Sequence, residues 1–416
     1  MLTKAVRLYG ASDLRLEEFE LGEIKDDEIL VEVISDSICM STYKCALLGP
    51  AHKRVPKDVA QNPTIMGHEM AGNIVQVGAK YKGQFKEGDK FTMQPALNYN
   101  GTMWSPGYSY TRCGGNATYC VMPPEVMELG CFLPYSGEAY FEASLAEPMS
   151  CCIGAFHAAY HTKMGVYTHE MGIKEGGRLA ILAGAGPMGM GAVEYAISCD
   201  RRPGVIVVTD LDSDRLAQCE KFFTEKGTQN GVETHFVNTA GMENTAEQLK
   251  AMAGGGFDDV MVFAPVGALM ELASAILGRD GCINFFAGPT DTQLMGKINC
   301  YDLHYNSAHV MGTTGGNTED MKESLALSEQ GRINPAVMIS HIGGLDAASQ
   351  AILELPKLGG GKKLIYNHIS MPLTAITDFR VRAQEDSRFE ALADIVAANN
   401  GLWCAQAEKY LLSHWK

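Results

Sequence analysis

Short runs of β-forming side chains, broken by acidic turns, dominate the first forty residues. Ala5-Val6-Arg7-Leu8-Tyr9 and Ile29-Leu30-Val31-Glu32-Val33-Ile34 each predict a strand. The run Ala71-Gly72-Asn73-Ile74-Val75-Gln76-Val77, closed by Gly78, predicts another strand and a turn. Glu87-Gly88-Asp89-Lys90 reads as a turn before a short strand, Phe91-Thr92-Met93. These elements predict an irregular, β-rich first domain. Residues 94–118 are rich in Gly, Asn, Tyr and Ser and read as a long loop, a length uncommon unless it serves function or an interface. From Ser144 to His161, Ile153, Phe156, His157 and Tyr160 recur at helical spacing.

At Gly176-Gly177 the pattern changes. Arg178-Leu179-Ala180-Ile181-Leu182-Ala183 is a short apolar strand, followed by Gly184-Ala185-Gly186-Pro187-Met188-Gly189 and a helical stretch to about Ser198. Val205–Asp210, Asp259–Phe263 and Cys282–Ala287 continue as strands between helical segments, which predicts a parallel sheet with helices on both faces. After about residue 315 mixed elements return, and two helices close the chain, about 385–398 and 404–415. The parallel-sheet domain is therefore expected as an insertion. Residues 1–155 form the first part of one domain, 156–315 the inserted domain, and 316–416 the second part with a C-terminal helical extension.

With 416 residues, 46% hydrophobic and 20% charged, the chain has an ordinary globular balance and enough length for two domains. A net charge of -15 with no long basic run argues against a nucleic-acid groove or an anionic membrane surface as partner. No apolar run approaches the roughly 18–20 residues of a membrane span. The first ten residues lack the apolar core of a signal peptide, and the 12 cysteines are scattered, so reduced thiols and a cytoplasmic location are expected.

The chemistry concentrates around Thr64-Ile65-Met66-Gly67-His68-Glu69-Met70-Ala71-Gly72. Cys39 lies upstream and Glu147-Pro148 downstream. Singly, His68 reads as a partly buried histidine and Cys39 as a core thiol. Together with Glu147 they make a thiolate, imidazole and carboxylate set that suits zinc, and three protein ligands leave a fourth position open, as a catalytic zinc requires. Glu69 is either an orienting carboxylate behind the ligands or an exchangeable ligand. Ser41, two residues after Cys39, is placed to hydrogen-bond a substrate oxygen and pass on its proton, with Thr42 as the neighbouring alternative.

Gly184-x-Gly186-x-x-Gly189 between a strand and a helix fits a dinucleotide turn. Its first glycine allows the turn, the second lets backbone approach a pyrophosphate, and the third allows close helix packing, with Pro187 and Met188 completing the turn. Asp210 ends the next strand near the expected offset and suits a ribose hydroxyl, favouring NAD over NADP. Arg215 leaves that preference open, and the other reading of Asp210 is a helix cap. Lys44, Lys53 and Arg54, with His52 and Lys57, make a local basic patch able to take a substrate phosphate, or else a solvated loop. Lys362-Lys363 after three glycines either reaches a cofactor pyrophosphate or lies in a surface turn.

Cys39-x-Ser41, Gly67-His68-Glu69-x-x-Gly72, Glu147-Pro148 and the Gly184–Gly189 turn together resemble the zinc-dependent medium-chain dehydrogenase/reductase superfamily, over nearly the whole chain. Glu147-Pro148 in place of a second cysteine looks like its sorbitol dehydrogenase branch. Within it, Asp36-Ser37-Ile38-Cys39, Asn62–Glu69, Asn284–Pro289, Gly315-Gly316-Asn317-Thr318 and Gly359–Leu364 resemble the L-sorbose-1-phosphate reductases. The resemblance implies an α/β protein in which a β-rich GroES-like catalytic domain carries an inserted Rossmann dinucleotide-binding domain. It also implies one catalytic zinc per subunit, NAD(H) or NADP(H), a homodimer or homotetramer, and reduction of L-sorbose 1-phosphate to D-glucitol 6-phosphate.

There are departures. Only Cys113 and Cys120 stand in region 94–120, where many members carry a four-cysteine lobe, so no structural zinc is expected. Lys44 stands where alcohol dehydrogenases often place a relay histidine. Two other readings stay open: a dehydrogenase of an unphosphorylated polyol or secondary alcohol, and a non-catalytic nicotinamide-binding protein. The presence of Cys39, His68 and Glu147 argues against the last.

Overall fold

The computed structural model describes residues 1–163 and 165–415. The chain separates into two compact units: Met1–Glu147, Met321–Gly331 and Ile339–Lys416 form the first, and Pro148–Asp320 with Arg332–Met338 the second.

The first unit is built on a sheet of eight strands. In order across it run Thr374–Ala375, Ile339–Gly344, Lys362–Tyr366, Ile29–Ile38, Met70–Val77, Lys90–Met93 and Phe132–Tyr135, with Tyr119–Met122 also paired to Ile29–Ile38. All pairings are antiparallel except Ile339–Gly344 with Lys362–Tyr366. Nearly every residue of Ile29–Ile38 is buried, as a central strand covered on both faces must be. The strand Lys362–Tyr366 pairs with it in the register Lys363 to Ile38 and Tyr366 to Ser35, so the far end of the chain is threaded beside the segment leading to Cys39. A second, three-stranded sheet holds Asp13–Glu20, Leu2–Gly10 and Thr64–Ile65.

In the second unit six strands are all parallel. Their order is Glu233–Asn238, Val205–Asp210, Arg178–Leu182, Phe257–Val262, Leu277–Phe285, His309–Gly312. Numbered along the chain this is 3-2-1-4-5-6, the doubly wound dinucleotide-binding topology. Ala180, Leu182, Val207, Val260, Val262 and Ile283 bury one sheet face against Leu249, Ala273 and Ile276 of the helices. The α/β expectation and the parallel inserted sheet both hold.

The stretch expected as one helix from Ser144 to His161 is three elements: a short helix Tyr140–Ser144, a helix Ala146–Ala158 and a strand Tyr160–Lys163. Helical spacing ends at Ala158 because His161 and Tyr160 pair with Glu170 and Met171 in an antiparallel hairpin, whose backbone bonds replace the helical ones. The loop at 94–118 contains only one turn of 3-10 helix, Tyr99–Gly101. The terminal helices run Arg388–Ala398 and Ala405–His414.

Candidate functional site

Cys39 follows the last residue of the Ile29–Ile38 strand and precedes the helix Met40–Leu48, so its thiol stands where strand becomes helix. His68 and Glu69 lie between the strands Thr64–Ile65 and Met70–Val77. Gly67 adopts φ +90, and a Cβ there would come within 2.6 Å of both Asn116 N and Asp36 Oδ2. That crowding has a purpose in the loop's geometry. Buried Asp36 accepts the Glu69 backbone N–H at 3.0 Å through Oδ1 and the Asn116 amide at 2.8 Å through Oδ2, which fixes the path of Gly67-His68-Glu69. Burial, and then the neighbouring Glu69, push the Asp36 carboxyl well above the usual carboxylate range.

A ligand atom from each of Cys39, His68 and Glu69 lies within 4.8 Å of the others. Glu147, on the first turn of Ala146–Ala158, is pushed up to about 7, by burial first and then by Glu69; His68 opposes the shift and Cys39 adds to it. Burial pushes the His68 imidazole down, keeping it neutral, and pushes the Cys39 thiol up, with Glu69 adding to the latter. Crowded carboxylates and a thiol around a neutral imidazole are an arrangement that a divalent cation relieves, and the donor set is one that zinc takes. The Ser41 hydroxyl lies 3.0 Å from Cys39 Sγ and 3.4 Å from His68 Nε2, and buried Thr42 places Oγ1 3.3 Å from His68 Nδ1.

At two residues here the structure departs from the sequence reading, which misplaces Lys362 and passes over Tyr108. Lys362 is neither at a pyrophosphate nor in a surface turn. It is buried, and its Nζ donates to both oxygens of Glu69 at 2.5 and 2.6 Å, while Ser37 donates to the same carboxylate. The β-pairing beside Ile38 carries it there. Lys363 is buried as well and donates to the Gly359 and Gly361 carbonyls at 2.7 and 2.6 Å.

Tyr108, from the long loop, donates to Ser41 Oγ at 2.8 Å and lies 3.3 Å from His68 Nε2. Its ring stacks with His52 at 5.8 Å and carries the Arg54 guanidinium 5.3 Å from its centroid. The basic patch therefore divides. Arg54 and His52 pack on a residue of the site, burial pushes the half-buried Lys44 ammonium down against an opposing effect of Cys39, and Lys53 is exposed. His52 is held near 4 by burial and then by Arg54, Lys53 and Lys44. Only the length of loop 94–118 hints at Tyr108, and the three glycines before Lys362 draw attention to it without indicating Glu69 as its partner.

In the second unit Gly186 caps the helix Pro187–Ser198 with Pro187 in its first turn. Gly184 packs against Ile181 and Val208 at 2.7 and 2.8 Å from a would-be Cβ, and a Cβ on Gly189 would collide with the Gly184 backbone. Gly186 opens onto free space, which is the cradle a pyrophosphate needs. Gly186, Pro187 and Met188 are partly exposed at its mouth. Asp210, at the end of its strand, accepts from Ala185 N at 3.1 Å, Leu211 N at 2.8 Å and Asp212 N at 3.2 Å. It is not the helix cap: Asp212 caps Ser213–Gln229, and Arg215 pairs with Asp212 at 3.3 Å. Among the described residues no helix is long and apolar enough to cross a membrane.

Residues 25–130 match the alcohol dehydrogenase GroES-like domain and residues 187–330 the zinc-binding dehydrogenase model. The chain is 53% identical over 415 residues to mannitol-1-phosphate 5-dehydrogenase of Aliivibrio fischeri, covering 99% of this chain and 98% of that one. It is 44% identical over 413 residues to L-sorbose 1-phosphate reductase of Klebsiella pneumoniae, covering 99% and 98%. The crystal structure of 2R,3R-butanediol dehydrogenase from Bacillus subtilis shares the fold, with a TM-score of 0.72 at 21% identity over 88% of this chain and 100% of that chain. Full-length identity of this order leaves one conclusion: the chain belongs to the zinc-dependent medium-chain dehydrogenase/reductase superfamily, among its proteins similar to L-sorbose-1-phosphate reductase.

Proposed function

We propose that the chain interconverts a keto sugar phosphate and a hexitol phosphate, reducing L-sorbose 1-phosphate to D-glucitol 6-phosphate with a reduced nicotinamide cofactor. The observation that carries this reading is the convergence of Cys39, His68 and Glu69 ligand atoms within 4.8 Å, with the Glu147 carboxylate close enough to act electrostatically on His68 and Cys39, and Arg54 held over Tyr108 beside them. Cys39, His68 and Glu147 would hold one zinc. Glu69 stays behind them, because both of its oxygens are engaged by Lys362. Bound there, zinc supplies Lewis acidity toward a carbonyl oxygen, and the nicotinamide supplies the hydride.

The chain's own residues handle placement and the proton. Tyr108 donates to Ser41 Oγ, so the Ser41 hydrogen is free to point elsewhere, toward Cys39 Sγ in this structure and toward a substrate oxygen when one is present. Arg54 would supply positive charge for the phosphate, with half-buried Lys44 as a second cation and Lys53 further out in solvent. Gly184, Gly186 and Gly189 receive the dinucleotide, and the fixed charge of Asp210 favours NAD(H) over NADP(H). A homodimer or homotetramer belongs to the same reading. A second substrate, mannitol 1-phosphate, is favoured by the higher identity to the Aliivibrio enzyme, 53% against 44%.

Steady-state rates test these readings. L-sorbose 1-phosphate and L-sorbose are offered with NADH or NADPH, and mannitol 1-phosphate with NAD or NADP, before and after chelation. A large, metal-dependent preference for a phosphorylated substrate is expected. Equal rates on L-sorbose with and without phosphate would move the assignment to an unphosphorylated polyol. Dinucleotide binding without turnover on any substrate would make the chain a non-catalytic binder.

A further inference from the structure

The helix Tyr140–Ser144 begins without a local cap. Ala139 stands at its N-cap position and has no side chain able to accept a hydrogen bond. The missing acceptor comes from the other end of the chain. Glu408, on the terminal helix Ala405–His414, accepts from Tyr140 N at 2.6 Å through Oε1 and from Phe141 N at 2.8 Å through Oε2. The Tyr366 hydroxyl donates to the same Oε2 at 2.7 Å, and Trp403 Nε1 donates to the Tyr366 oxygen at 2.8 Å. Glu408, Tyr366 and Trp403 are all buried. Phe379, Phe389 and Trp415 pack the surrounding terminal segment, with ring centroids 5.3–6.3 Å apart.

Each element gripped by this carboxylate carries, or leads directly into, a residue of the metal site. The helix Tyr140–Ser144 runs through Leu145 into Ala146–Ala158, whose first turn bears Glu147. The strand Lys362–Tyr366 has Tyr366 at one end and, at the other, the Lys362 that engages Glu69. Tyr366 also pairs in register with Ser35, four residues before Cys39, and the Ser35 and Ser144 hydroxyls hydrogen-bond to each other. One buried carboxylate thus ties the segments carrying Cys39, Glu147 and the Glu69–Lys362 pair.

We propose that Glu408, through its bonds to Tyr140, Phe141 and Tyr366, is a positioning residue for the metal centre, so that the C-terminal extension sets the geometry in which Glu147 meets Cys39 and His68. The inference rests on the zinc reading above. A buried acceptor shared by three donors has one satisfactory arrangement, and removing it lets the uncapped helix and the Glu147 turn relax apart from the strand.

The test uses the full chain with Glu408→Gln, which keeps the volume but turns an amide N–H2 toward groups that are themselves donors. Zinc affinity of the metal-free protein is measured by competition with a chromophoric chelator, and the cobalt(II)-substituted protein gives a ligand-field spectrum. Expected are a tenfold or greater weakening of zinc binding and an altered cobalt spectrum. Phe389→Ala, in the same extension, is expected to lower the melting temperature while leaving both readouts as in the wild type. Should Glu408→Gln not fold, Tyr366→Phe removes one of the three bonds and is expected to shift both readouts in the same direction. Wild-type zinc affinity and cobalt spectrum in the folded variant would overturn the positioning role and leave Glu408 merely structural. A wild-type protein that binds no zinc would instead overturn the metal reading itself, and this inference with it.

Discussion

Replacing Lys362 with Met removes the buried ammonium that pairs with Glu69. Lys362 and Glu69 are 4% and 0% exposed, and their two N–O distances are 2.5 and 2.6 Å. Met fills most of the lysine stem, so the loss is chiefly electrostatic. The Glu69 carboxylate is left with the Ser37 hydroxyl, beside buried Asp36 and near Glu147 and Cys39. Removing one partner of a buried pair costs roughly 3–5 kcal/mol, because the remaining charge is neither hydrated nor paired. Lys362→Met is therefore expected to destabilise the first unit by about that amount. Lys362→Met with Glu69→Gln, which removes both charges, should recover more than half of the loss. The assay is urea unfolding of the metal-free protein followed by tryptophan fluorescence. All 3 tryptophans, Trp104, Trp403 and Trp415, belong to the first unit, so the signal reports on that unit alone. A loss below about 1 kcal/mol, or a double variant as unstable as the sum of the single ones, would refute the reasoning.

Gly189→Ala drives a Cβ into the Gly184 backbone, and should cost about 1–3 kcal/mol while weakening NAD(H) binding, read by fluorescence titration. Tyr108→Phe removes the donor to Ser41 and should lower kcat more than it raises KM, seen in steady-state kinetics on the best substrate of the panel. Arg54→Ala should raise KM for a phosphorylated substrate about ten- to hundredfold, as expected for losing a charged hydrogen bond of roughly 1.5–3 kcal/mol, while sparing an unphosphorylated one. Glu408 is pushed up to about 7 from 4.5, by burial opposed by the Tyr366, Tyr140 and Phe141 bonds, with Glu142 adding to the rise and Tyr135 also in its field. A raised carboxylate favours folding below its unfolded value and loses that contribution as pH climbs through 7. Stability should therefore fall by about 3 kcal/mol between pH 4.5 and 7, and Glu408→Gln should flatten that part of the curve.

Much of this protein is legible in its residues alone. The Gly184–Gly189 turn between an apolar strand and a helix is a local device whose glycines are dictated by contacts within a few residues, so its sequence and its shape carry the same information. The parallel strands around it, and the strand before Cys39, follow from apolar runs of the right length. Cys39, His68 and Glu147 stand out because a thiol, an imidazole and a carboxylate together make a donor set that zinc takes. Where local signals compete they mislead: the helical spacing at Tyr160 yields to cross-strand pairing with Met171.

The partners of those residues come from the tertiary structure, since they are chosen by pairing across long stretches of chain. Lys362 reaches Glu69 from 293 residues away because the C-terminal strand pairs beside Ile38. Tyr108 meets Ser41 across 67 residues of chain that include the irregular loop. Glu408 caps a helix 268 residues upstream. A lysine after three glycines, a tyrosine in a polar loop and a glutamate in a terminal helix all look like surface residues until the fold withdraws them from water. Once buried, each must find a partner, because an unpaired charge or hydroxyl in the core costs more than the fold can spare.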